Sequence, residues 1–501
     1  MAITGTNTST NTSTRTGRHR VVIIGSGFGG LFAAKELKDA PADVTLISRT
    51  SHHLFQPLLY QVATGILSEG EIAPATREIL RRQQNLDVLL GDVVAIDLAA
   101  RTVTSRALGR TTVTPYDSLI VAAGASTSYF GNDHYALDAP GLKTVDDALE
   151  LRGRILGAFE LANLATDPAE IERLMTFVVV GAGPTGVEMA GQIAELARTT
   201  LRRDFRRIDT TQARVLLLDG QSGVLTSYGP KVSAQAAKQL ARLGIEVWLN
   251  TLVTSVDERG LDVRDTSGRV DRVDANVVVW AAGVRASTLA AKIADQAGLQ
   301  VDRAGRIPVE PDVTVAGHPE VFVVGDMMSL DRLPGVSQVA MQQGRYAAKT
   351  IKRRLSGRAP LPPFRYFDKG SMATISRFSA VGDIGPLRFG GLRFAGFVAW
   401  LLWLAVHIFY LVGFKNRVTT LLHWMVTFLG RGRPQRTVTH QQAIGRAALS
   451  HLDTPYLGIP QRPGTPAAPE AVPAAPDAEA EAVPAAAEAE AVPAEAVPAG
   501  R

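Results

Sequence analysis

The chain of 501 residues contains no cysteine. This absence excludes structural disulfides, thiolate-ligated metal clusters and thiol catalysis, and we expect no metal site. The net charge of +5 is small for this length, and basic residues are scattered until about residue 415. The composition therefore does not predict nucleic-acid binding. The N-terminal residues lack the apolar segment of a signal peptide, and the length allows two or three domains.

Two glycine-rich turns, each after a run of mostly β-branched residues, are the most informative feature present. The first reads VVIIGSGFGG over residues 21–30, and the second reads FVVVGAGPTG over residues 177–186. A buried strand that enters G-x-G-x-x-G and continues as a helix brings backbone N–H groups against a pyrophosphate. The candidate phosphate-binding residues are Gly25, Ser26, Gly27, Phe28 and Gly29 in the first turn, and Gly181, Gly183 and Gly186 in the second.

Each half closes with a second buried strand that ends in small residues. Residues 118–124 end in Ala123 and Gly124, and residues 277–283 end in Ala282 and Gly283. Small residues at the end of a strand let the backbone turn close to a bound cofactor. The similar spacing from glycine turn to strand end predicts one plan used twice. The predicted fold is therefore α/β, with two Rossmann-like dinucleotide-binding domains and a C-terminal helical region.

The residue at the end of the second strand of each half distinguishes the nucleotides. Asp219 ends the strand 214–219, and a carboxylate there accepts from a ribose 2′-hydroxyl and repels a 2′-phosphate, which favours NADH over NADPH. The alternative is that Asp219 merely ends the strand. In the first half Ser48 takes this place, with Arg49 able to reach an adenine or a phosphate. Because the N-terminal position usually belongs to a tightly held flavin, we assign FAD to this half.

A third buried strand, residues 321–326, is expected to return the chain to the first domain, so that the second domain is an insertion within it. The predicted division is a disordered leader (1–18), an FAD-binding domain in two parts (19–165 and 301–385), an NADH-binding domain (166–300), membrane-anchoring helices (386–440) and a tail (441–501) that is disordered from about 458, where Ala-Pro-Glu repeats begin.

Four segments together resemble the type II NADH dehydrogenases. They are HLFQPLLYQVA (53–63), GAGPTGVE (181–188), GD (325–326) and SQVAMQ (337–342). The last is similar to the Ala-Gln-x-Ala-x-Gln signature of the family, with Ser337 in place of the first alanine. The resemblance runs from about residue 19 to about residue 435 and is closest to the actinobacterial members.

The resemblance implies FAD-dependent oxidation of NADH, with two electrons passed to menaquinone or ubiquinone, and a homodimer that buries the C-terminal helices. It implies roles for six residues: Val93 at the adenine side of FAD, Asp326 at the ribityl chain, Ser337 and Gln338 along the flavin ring, Gln338 and Gln342 in the quinone pocket, and Glu188 as the catalytic carboxylate. Where some relatives have a lysine against the flavin, this chain has Leu411.

Four of these residues also have purely structural alternatives. Glu188 could be a surface carboxylate favoured by the helix dipole, and Asp326 could cap the helix that follows it. Gln338 and Gln342 share a helix face and could bond backbone groups at the helix start.

The C-terminal region predicts attachment to a membrane. Residues 394–414 form a run of 21 without a charge, long enough to span the hydrocarbon core. Residues 416–429 are amphipathic, with polar Asn416, Thr420, His423 and Thr427 opposite Leu421, Leu422, Met425 and Phe428. We expect Trp400, Trp403 and Trp424 at the headgroup boundary, and Lys415, Arg417, Arg431, Arg433 and Arg436 as a cationic fringe for anionic lipids. We favour a peripheral, monotopic attachment to the cytoplasmic face of the cell membrane over a span.

Residues 389–435 contain no Asp or Glu, and His407 and His423 alone make a poor proton relay, so we predict redox chemistry without proton pumping. One alternative is an NADH-dependent flavoprotein reductase of a soluble electron carrier, which needs no lipid-facing C-terminus. Another is a non-catalytic membrane scaffold or redox sensor that retains a nucleotide. Related flavoenzymes that depend on cysteine are excluded.

Overall fold

The structure is a computed structural model that describes residues 8–10, 17–384, 392–430 and 432–439; the predicted tail and Arg431 lie outside the described residues. The strands are β1 (Thr8–Thr10), β2 (His19–Ile24), β3 (Ala42–Ser48), β4 (Leu86–Leu90), β5 (Asp92–Asp97), β6 (Thr102–Ala107), β7 (Arg110–Pro115), β8 (Ser118–Val121), β9 (Ala125–Thr127), β10 (Thr176–Val180), β11 (Arg214–Leu218), β12 (Glu246–Trp248), β13 (Leu252–Asp257), β14 (Gly260–Arg264), β15 (Val270–Asp274), β16 (Val277–Trp280), β17 (Val284–Ala286), β18 (Ile307–Pro308), β19 (Thr314–Val315), β20 (His318–Val323), β21 (Met328–Ser329), β22 (Ser371–Ser376), β23 (Ser379–Ile384) and β24 (Leu392–Gly396). The helices are α1 (Phe28–Glu36), α2 (Leu59–Ala63), α3 (Glu69–Ile72), α4 (Thr76–Leu80), α5 (Val145–Leu164), α6 (Pro168–Leu174), α7 (Pro184–Glu195), α8 (Pro230–Arg242), α9 (Leu289–Ala297), α10 (Ser337–Leu355), α11 (Phe397–Tyr410) and α12 (Phe414–Gly430).

Two sheets repeat the same parallel strand order. The first is β4-β3-β2-β8-β20-β19, in which only β19 is antiparallel to its neighbour, and the second is β12-β11-β10-β16. The strand before each glycine turn is central in both: β2 lies between β3 and β8, and β10 lies between β11 and β16. These strands are apolar on both faces because each sheet is covered on both sides. The predicted α/β fold with a repeated half is confirmed.

The second sheet is inserted within the first. Strand β20 pairs in parallel with β8, at Val321 with Leu119 and Val323 with Val121, as the apolar run 321–324 predicts. A two-stranded antiparallel ribbon also joins the halves, because β9 follows β8 directly and pairs with β17, which follows β16. The ribbon brings together the chain segments that leave the two sheets, and the sequence analysis did not predict it.

Three smaller antiparallel layers and a short parallel pair, β18 with β21, complete the fold. β5, β6 and β7 form one with β1 at its edge, β13 to β15 form another, and β22 to β24 form the third. β1 lies within the predicted disordered leader and pairs in parallel with β7. For residues 8–10 the prediction of disorder is therefore wrong, because three consecutive hydroxyl residues add an edge strand to a sheet that is already formed.

The uncharged run 394–414 is not one helix. Its first residues belong to β24, helix α11 begins at Phe397, and the chain turns before α12 begins at Phe414. Gly396 and Gly413 have φ of +82° and +96°, backbone conformations that continue neither a strand nor a helix. The predicted domain boundary at residue 385 falls between β23 and β24, which pair with each other. In the part of the chain that the structure describes, no helix is both long enough and apolar enough to cross a bilayer.

Helix α12 turns its polar stripe inward. Asn416, Thr420 and Thr427 are buried against the protein, where Asn416 Nδ2 donates to the carbonyls of Gly70 and Glu71 at 2.8 and 2.7 Å. The predicted apolar side is exposed at Leu421, Leu422 and Met425. Phe428 is the exception, because it packs inward against Trp400 at a ring-centroid distance of 5.0 Å.

Several predicted boundary residues lie in the core instead. Trp400, Trp403 and Trp424 are buried, and Trp424 Nε1 donates to Gln61 Oε1 at 2.7 Å, so their placement among lipid headgroups is wrong. The indole rings fill the space between α11, α12 and the remaining protein. Arg433 is buried as well, and therefore does not belong to the cationic fringe.

Arg433 anchors the chain after α12. Its guanidinium donates to the carbonyl of Thr64 at 2.7 Å and to the backbone and side-chain oxygens of Gln192, each at 3.0 Å. Burial lowers its pKa to about 10, and the charge of Glu195 opposes that shift. The guanidinium remains charged at neutral pH, and its three hydrogen bonds offset part of the cost of burying it.

Candidate active site

The two glycine turns are built in the same way. Gly25 N donates to Ile47 O at 2.8 Å, and Gly181 N donates to Leu218 O at 2.7 Å. Both glycines have φ near +100°, and a Cβ on either would lie within 3 Å of the backbone that ends the neighbouring strand. Only glycine can hold both turns this close to the sheet.

The next glycine of each turn faces open space at a helix N-terminus. A Cβ on Gly27 or on Gly183 would meet no atom within 4 Å and would project into the space in front of the helix. α1 and α7 follow these two residues directly, so each helix offers its unpaired N–H groups there. Each turn and the helix start behind it form a site of the kind that binds a pyrophosphate. We call the site of Gly27 and α1 the first cradle, and the site of Gly183 and α7 the second cradle.

Gly29 has a packing role in addition to its place in the turn. A Cβ on Gly29 would lie 3.1 Å from Val324 Cγ2 and 3.6 Å from Ala340 O. On the opposite helix, a Cβ on Gly344 would lie 2.1 Å from Gly29 O. The two glycines therefore allow the backbones of α1 and α10 to be in contact. This contact places the first cradle beside α10, the helix that contains Gln338 and Gln342.

Around the first cradle, Ser26 and Ser48 share a hydrogen bond of 2.8 Å between their hydroxyls. The Ser26 hydroxyl donates its hydrogen to His52 O, so Ser48 is the donor of the pair and can only accept from a ribose hydroxyl. His53 Nδ1 bonds Ser26 O at 2.8 Å, while its Nε2 is buried without a hydrogen-bond partner among the described residues. Burial lowers the pKa of His53 to about 4, so the ring is neutral.

The other predicted FAD contacts lie on separate elements. Arg49 is exposed just beyond β3, whereas Val93 belongs to β5 of an antiparallel layer and its side chain is buried in the core. Asp326 lies in a turn of 3-10 helix after β20, while α10 starts at Ser337 after Val336, so Asp326 is not the cap of that helix.

The carboxyl of Asp326 interacts electrostatically with Lys143, which lies just before α5. Burial raises the pKa of this carboxyl, and the charge of Lys143 opposes that shift. Burial in turn lowers the pKa of Lys143, against the charge of Asp326. The cradle that a Cβ on Gly27 would fill fits the pyrophosphate of FAD. The unpartnered His53 Nε2, which carries no hydrogen because Nδ1 donates to Ser26 O, and the partly buried carboxylate of Asp326 are acceptors that fit the hydroxyl groups of its polyol.

In the second half Asp219 lies directly against the glycine turn. Its Oδ2 accepts from Ala182 N at 2.5 Å, and its Oδ1 accepts from Gln221 N at 2.7 Å. Each carboxylate oxygen has a second lone pair for a ribose hydroxyl. Asp219 therefore does not merely end a strand, because its hydrogen bond from Ala182 N stabilises the turn that Gly181 begins.

The small residues at the strand ends lead into the ribbon that joins the halves. Gly124 and Gly283 have φ of +68° and +74°, and β9 and β17 begin one residue after them. A Cβ on Gly283 would lie 2.5 Å from the ring of Phe130. Ala123 and Ala282 precede these glycines and are partly buried at the sheet edges.

Glu188 is buried in the first turns of α7 and is not the surface carboxylate of the structural alternative. Its Oε1 accepts from the backbone N–H of Thr374 at 3.3 Å. Burial raises the pKa of this carboxyl to about 8, and the bonds from Thr374 oppose the shift. At neutral pH the side chain is therefore a carboxylic acid that carries a proton.

Sequence reasoning missed the residues that surround this acid. Tyr60 Oη bonds Thr374 Oγ1 at 2.7 Å and accepts from Gln61 Nε2 at 3.0 Å. Burial raises the pKa of Tyr60, and the charge of Glu188 raises it further. Trp424 donates to the same Gln61, so one hydrogen-bonded series leads from α12 to the acid. The signal was the segment 53–63, which contains Tyr60 and Gln61.

Gln338 and Gln342 lie one turn apart on α10 and hold one neighbouring segment by its backbone. Gln338 donates to Gly370 O at 2.8 Å, and Gln342 donates to Phe367 O at 2.9 Å. Their side-chain oxygens accept from the N–H groups of Lys369 and Phe367. The glutamines do bond backbone, as the structural alternative predicts, but the backbone belongs to residues 367–370. Ser337 is the first residue of α10.

The histidines of the C-terminal region have different partners. His407 is stacked on Trp403 at 4.0 Å between ring centroids, and burial lowers its pKa to about 4. His423 contacts the buried Glu71 through a ring nitrogen. Glu71 belongs to α3, whereas the sequence analysis considered acidic residues only within residues 389–435. Leu411 is fully buried.

A comparison with known proteins agrees with this geometry. A family model described as pyridine nucleotide-disulphide oxidoreductase matches residues 19–344. The type II NADH:quinone oxidoreductase Ndh of Mycobacterium tuberculosis is 59% identical over 437 residues, which are 87% of this chain and 93% of that protein. The chain belongs to the family of type II NADH:quinone oxidoreductases. Without cysteine, it cannot use the disulphide chemistry named in the wider family's description.

Two further relatives agree with this assignment to the type II NADH:quinone oxidoreductases. The type II NADH:quinone oxidoreductase NdhA of M. tuberculosis is 58% identical over 446 residues, 88% of this chain and 94% of that protein. The solved structure of NDH2 from Plasmodium falciparum in complex with NADH matches with a TM-score of 0.74 at 20% identity, covering 82% of this chain and 98% of that one. The second match shows the shared fold. The predicted family is confirmed.

Proposed function

We propose that this chain is an FAD-dependent enzyme that oxidises NADH and transfers two electrons to a membrane quinone without pumping protons. The observation that carries the proposal is the pair of equivalent glycine cradles, whose strand ends are joined by the β9–β17 ribbon. Strand ends that are joined in this way keep two bound dinucleotides at a fixed distance and orientation to each other. The names of the M. tuberculosis relatives support NADH and a quinone as the substrates.

In this proposal FAD belongs to the first cradle and NADH to the second. When bound, FAD supplies the acceptor for hydride and the carrier of electrons to the quinone. The chain positions the two nucleotides: Gly27 and the start of α1 face one pyrophosphate, and Ser48 accepts from a ribose. Asp326 faces the ribityl chain, and Gly183 and Asp219 receive NADH.

The quinone is proposed to lie beside Gln338 and Gln342. Because these side chains already hold residues 367–370, we assign them the task of positioning that segment as a wall of the quinone pocket. Glu188 is proposed as the acid that holds a proton for the reaction at its carboxyl group. Menaquinone and ubiquinone both remain candidate acceptors.

The proposed reaction is tested by following the NADH absorbance band of the purified protein with and without a soluble quinone. We expect oxidation that requires the quinone, and a yellow protein whose extracted chromophore is FAD and which bleaches with NADH. A protein that oxidises no NADH when loaded with FAD and given either a menaquinone or a ubiquinone analogue would refute the proposal.

Replacement of Asp219 by asparagine is expected to weaken the preference for NADH. The amide keeps the shape but loses the charge that binds a 2′-hydroxyl and repels a 2′-phosphate. A hydrogen bond to a charged group contributes about 1.5–3 kcal/mol, so the ratio of kcat/KM for NADH to that for NADPH should fall roughly 10- to 100-fold. Steady-state rates with both coenzymes measure this ratio. An unchanged ratio would show that Asp219 only stabilises the glycine turn and does not select between the two coenzymes.

Attachment to one membrane leaflet, on the cytoplasmic side, is part of the proposal. Helices α11 and α12 expose Phe397, Val398, Phe409, Leu422 and Leu429 on the outside of the protein. An apolar face of this kind is expected to enter the boundary between headgroups and acyl chains. It gives no reason to prefer a soluble electron carrier as the acceptor.

Introducing glutamate at two exposed leucines of α12 is expected to release the protein from vesicles. Leu422 and Leu429 are 52% and 74% exposed, and Leu422→Glu/Leu429→Glu removes their apolar contact with lipid. A buried leucine contributes at least about 1.5 kcal/mol, so vesicle partitioning should fall by roughly 100-fold or more. Leu161→Glu/Leu164→Glu on α5, at 52% and 69% exposure, is the matched control. Equal losses in both double variants in a flotation assay would contradict the assignment of this face.

Two further features complete the proposal. A homodimer that covers part of the C-terminal helices is expected by analogy with the family. The absence of proton pumping is supported by the lack of Asp and Glu in residues 389–435, where His423 contacts one acid, Glu71, supplied from α3. One acid–histidine contact does not make a path across a bilayer.

A further inference from the structure

A cavity lies where the first cradle's helix meets the C-terminal helices. Its volume is about 460 Å³, and it is lined by the last turns of α1, by Arg345 of α10, and by the turn between α11 and α12. Its lining includes neither the signature glutamines nor the glycine turns, and its Tyr410 accepts a hydrogen bond from Lys369 Nζ at 2.7 Å. None of the residues that line it has a part in the proposed reaction.

Three cations converge on this cavity. Lys35, Arg345 and Arg417 line it together with a single carboxylate, that of Glu36. Within the described residues, none of the three cations has a carboxylate at ion-pair distance. The surrounding protein partly desolvates Lys35 and lowers its pKa, and the charges of Arg345 and Arg417 lower it further. The repulsion among the three charges would be relieved by an anion.

Two of these cations lie over one aromatic ring, and the third is held by backbone. The Arg345 guanidinium is 4.6 Å and the Lys35 ammonium 5.7 Å from the centroid of Phe32. Arg417 donates from Nε to Leu411 O at 2.7 Å and from Nη2 to Phe409 O at 2.9 Å. The cations are thus positioned before any ligand arrives, which lowers the entropic cost of binding one.

The cavity borders the exposed apolar face. Phe409 lines it and is 69% exposed, and Phe414, at 84% exposure, follows the lining residue Gly413. An anion in this cavity would therefore lie at the level where an apolar helix face meets solvent. In a membrane that level belongs to the lipid headgroups.

We propose that this cavity binds the phosphodiester headgroup of an anionic phospholipid through Lys35, Arg345 and Arg417. The proposal rests on the membrane attachment proposed above. Guanidinium groups match phosphate oxygens in pairs, and the apolar rim suits the glycerol and acyl chains that a free phosphate lacks. Because α1 begins at the first cradle and ends at this cavity, a bound headgroup would also set the orientation of the FAD half against the bilayer.

Calorimetric titration of the detergent-solubilised holoprotein tests this site. The probes are dihexanoyl phosphatidylglycerol, dihexanoyl phosphatidylcholine and inorganic phosphate. We expect one phosphatidylglycerol per chain, bound at least tenfold more tightly than either other probe. Lys35→Gln and Arg345→Gln should each weaken it roughly 5-fold, and the double variant roughly 30-fold, as for about 1 kcal/mol per charge. Arg345→Lys, which keeps the charge, should bind within about threefold of the wild type.

Lys349→Gln is the matched control, because Lys349 is exposed on α10 one turn from Arg345 but does not line the cavity. Its affinity for phosphatidylglycerol should stay within about twofold of the wild type. An equal loss in this control would show a diffuse cationic surface and overturn the proposal. Inorganic phosphate bound as tightly as the lipid, or no binding by the wild type, would overturn it as well. Flavin absorbance and the thermal midpoint verify folding, and the titration does not depend on turnover, so failure of the proposed reaction would be seen separately.

Discussion

Glu188→Gln is expected to slow quinone reduction by roughly 100-fold while leaving reduction of the protein by NADH within a few-fold of the wild type. The amide keeps the size of the side chain and can still accept from Thr374 N, but it has no acidic proton. Positioned acid–base groups contribute about 10²- to 10⁴-fold to a rate, and the lower value suits an acid that acts through its neighbours. Stopped-flow spectroscopy of the flavin band measures both half-reactions.

The pH profile gives this prediction a second readout. The pKa of Glu188 is raised to about 8, so the acid form is present below that pH and is lost above it. Quinone reduction by the wild type should therefore decline as the pH rises through about 8, whereas Glu188→Gln should show no such decline. Glu195→Gln, two turns further along α7, should leave the profile unchanged. A decline near pH 8 that persists in Glu188→Gln would contradict the role of this acid.

Gly186→Ala is expected to abolish NADH binding while the protein keeps its flavin. A Cβ at this position would lie 1.7 Å from Gly181 O, a contact that only a shift of the turn can relieve. The equivalent change in the first half, Gly30→Ala, puts a Cβ 1.9 Å from Gly25 O and should abolish flavin binding instead. The Kd for NADH of Gly186→Ala should rise at least about 100-fold, since the phosphate cradle requires this turn.

Absorbance of the purified variants and their bleaching by NADH separate the two losses. Gly157→Ala is the control, because its Cβ would meet no atom within 4 Å on the exposed side of α5. Alanine in a helix is favoured over glycine, so this variant should gain about 0.5–1 kcal/mol of stability and keep full activity. Bleaching of Gly186→Ala at the wild-type rate would show that the second cradle is not the NADH site.

The membrane region shows where periodicity in a sequence is informative and where it is not. The spacing of Asn416, Thr420 and Thr427 correctly predicts one polar face on α12. The burial of that face depends on partners such as the carbonyls of Gly70 and Glu71, which lie 345 or more residues earlier in the chain. Amphipathic spacing alone does not show which face of a helix the rest of the protein covers.

The sequence analysis predicted the tryptophans and Arg433 at the membrane boundary, and this prediction is wrong for a related reason. Composition rules put these side chains at membrane boundaries because both combine an apolar part with a polar end. In this protein those polar ends have internal partners: Trp424 donates to Gln61 and Arg433 to Gln192. A hydrogen-bond partner so distant in sequence is not visible in a local pattern.

The sequence by itself determined the two glycine turns, the repeated strand order, the insertion of one half into the other, and the family. The glycine turns are local features: a positive φ at Gly25 or Gly181 and a wholly apolar strand beside it are required by backbone sterics and burial, whatever surrounds them. The strand order and the insertion follow from the order of these local signals along the chain. Only the tertiary structure decided which side chains meet. Tyr60 reaches Thr374 across 314 residues, the pKa of Glu188 is raised by burial among them, and Lys35, Arg345 and Arg417 converge from three helices. Such contacts depend on the packing of complete elements, because the direction and burial of a side chain are properties of the whole fold.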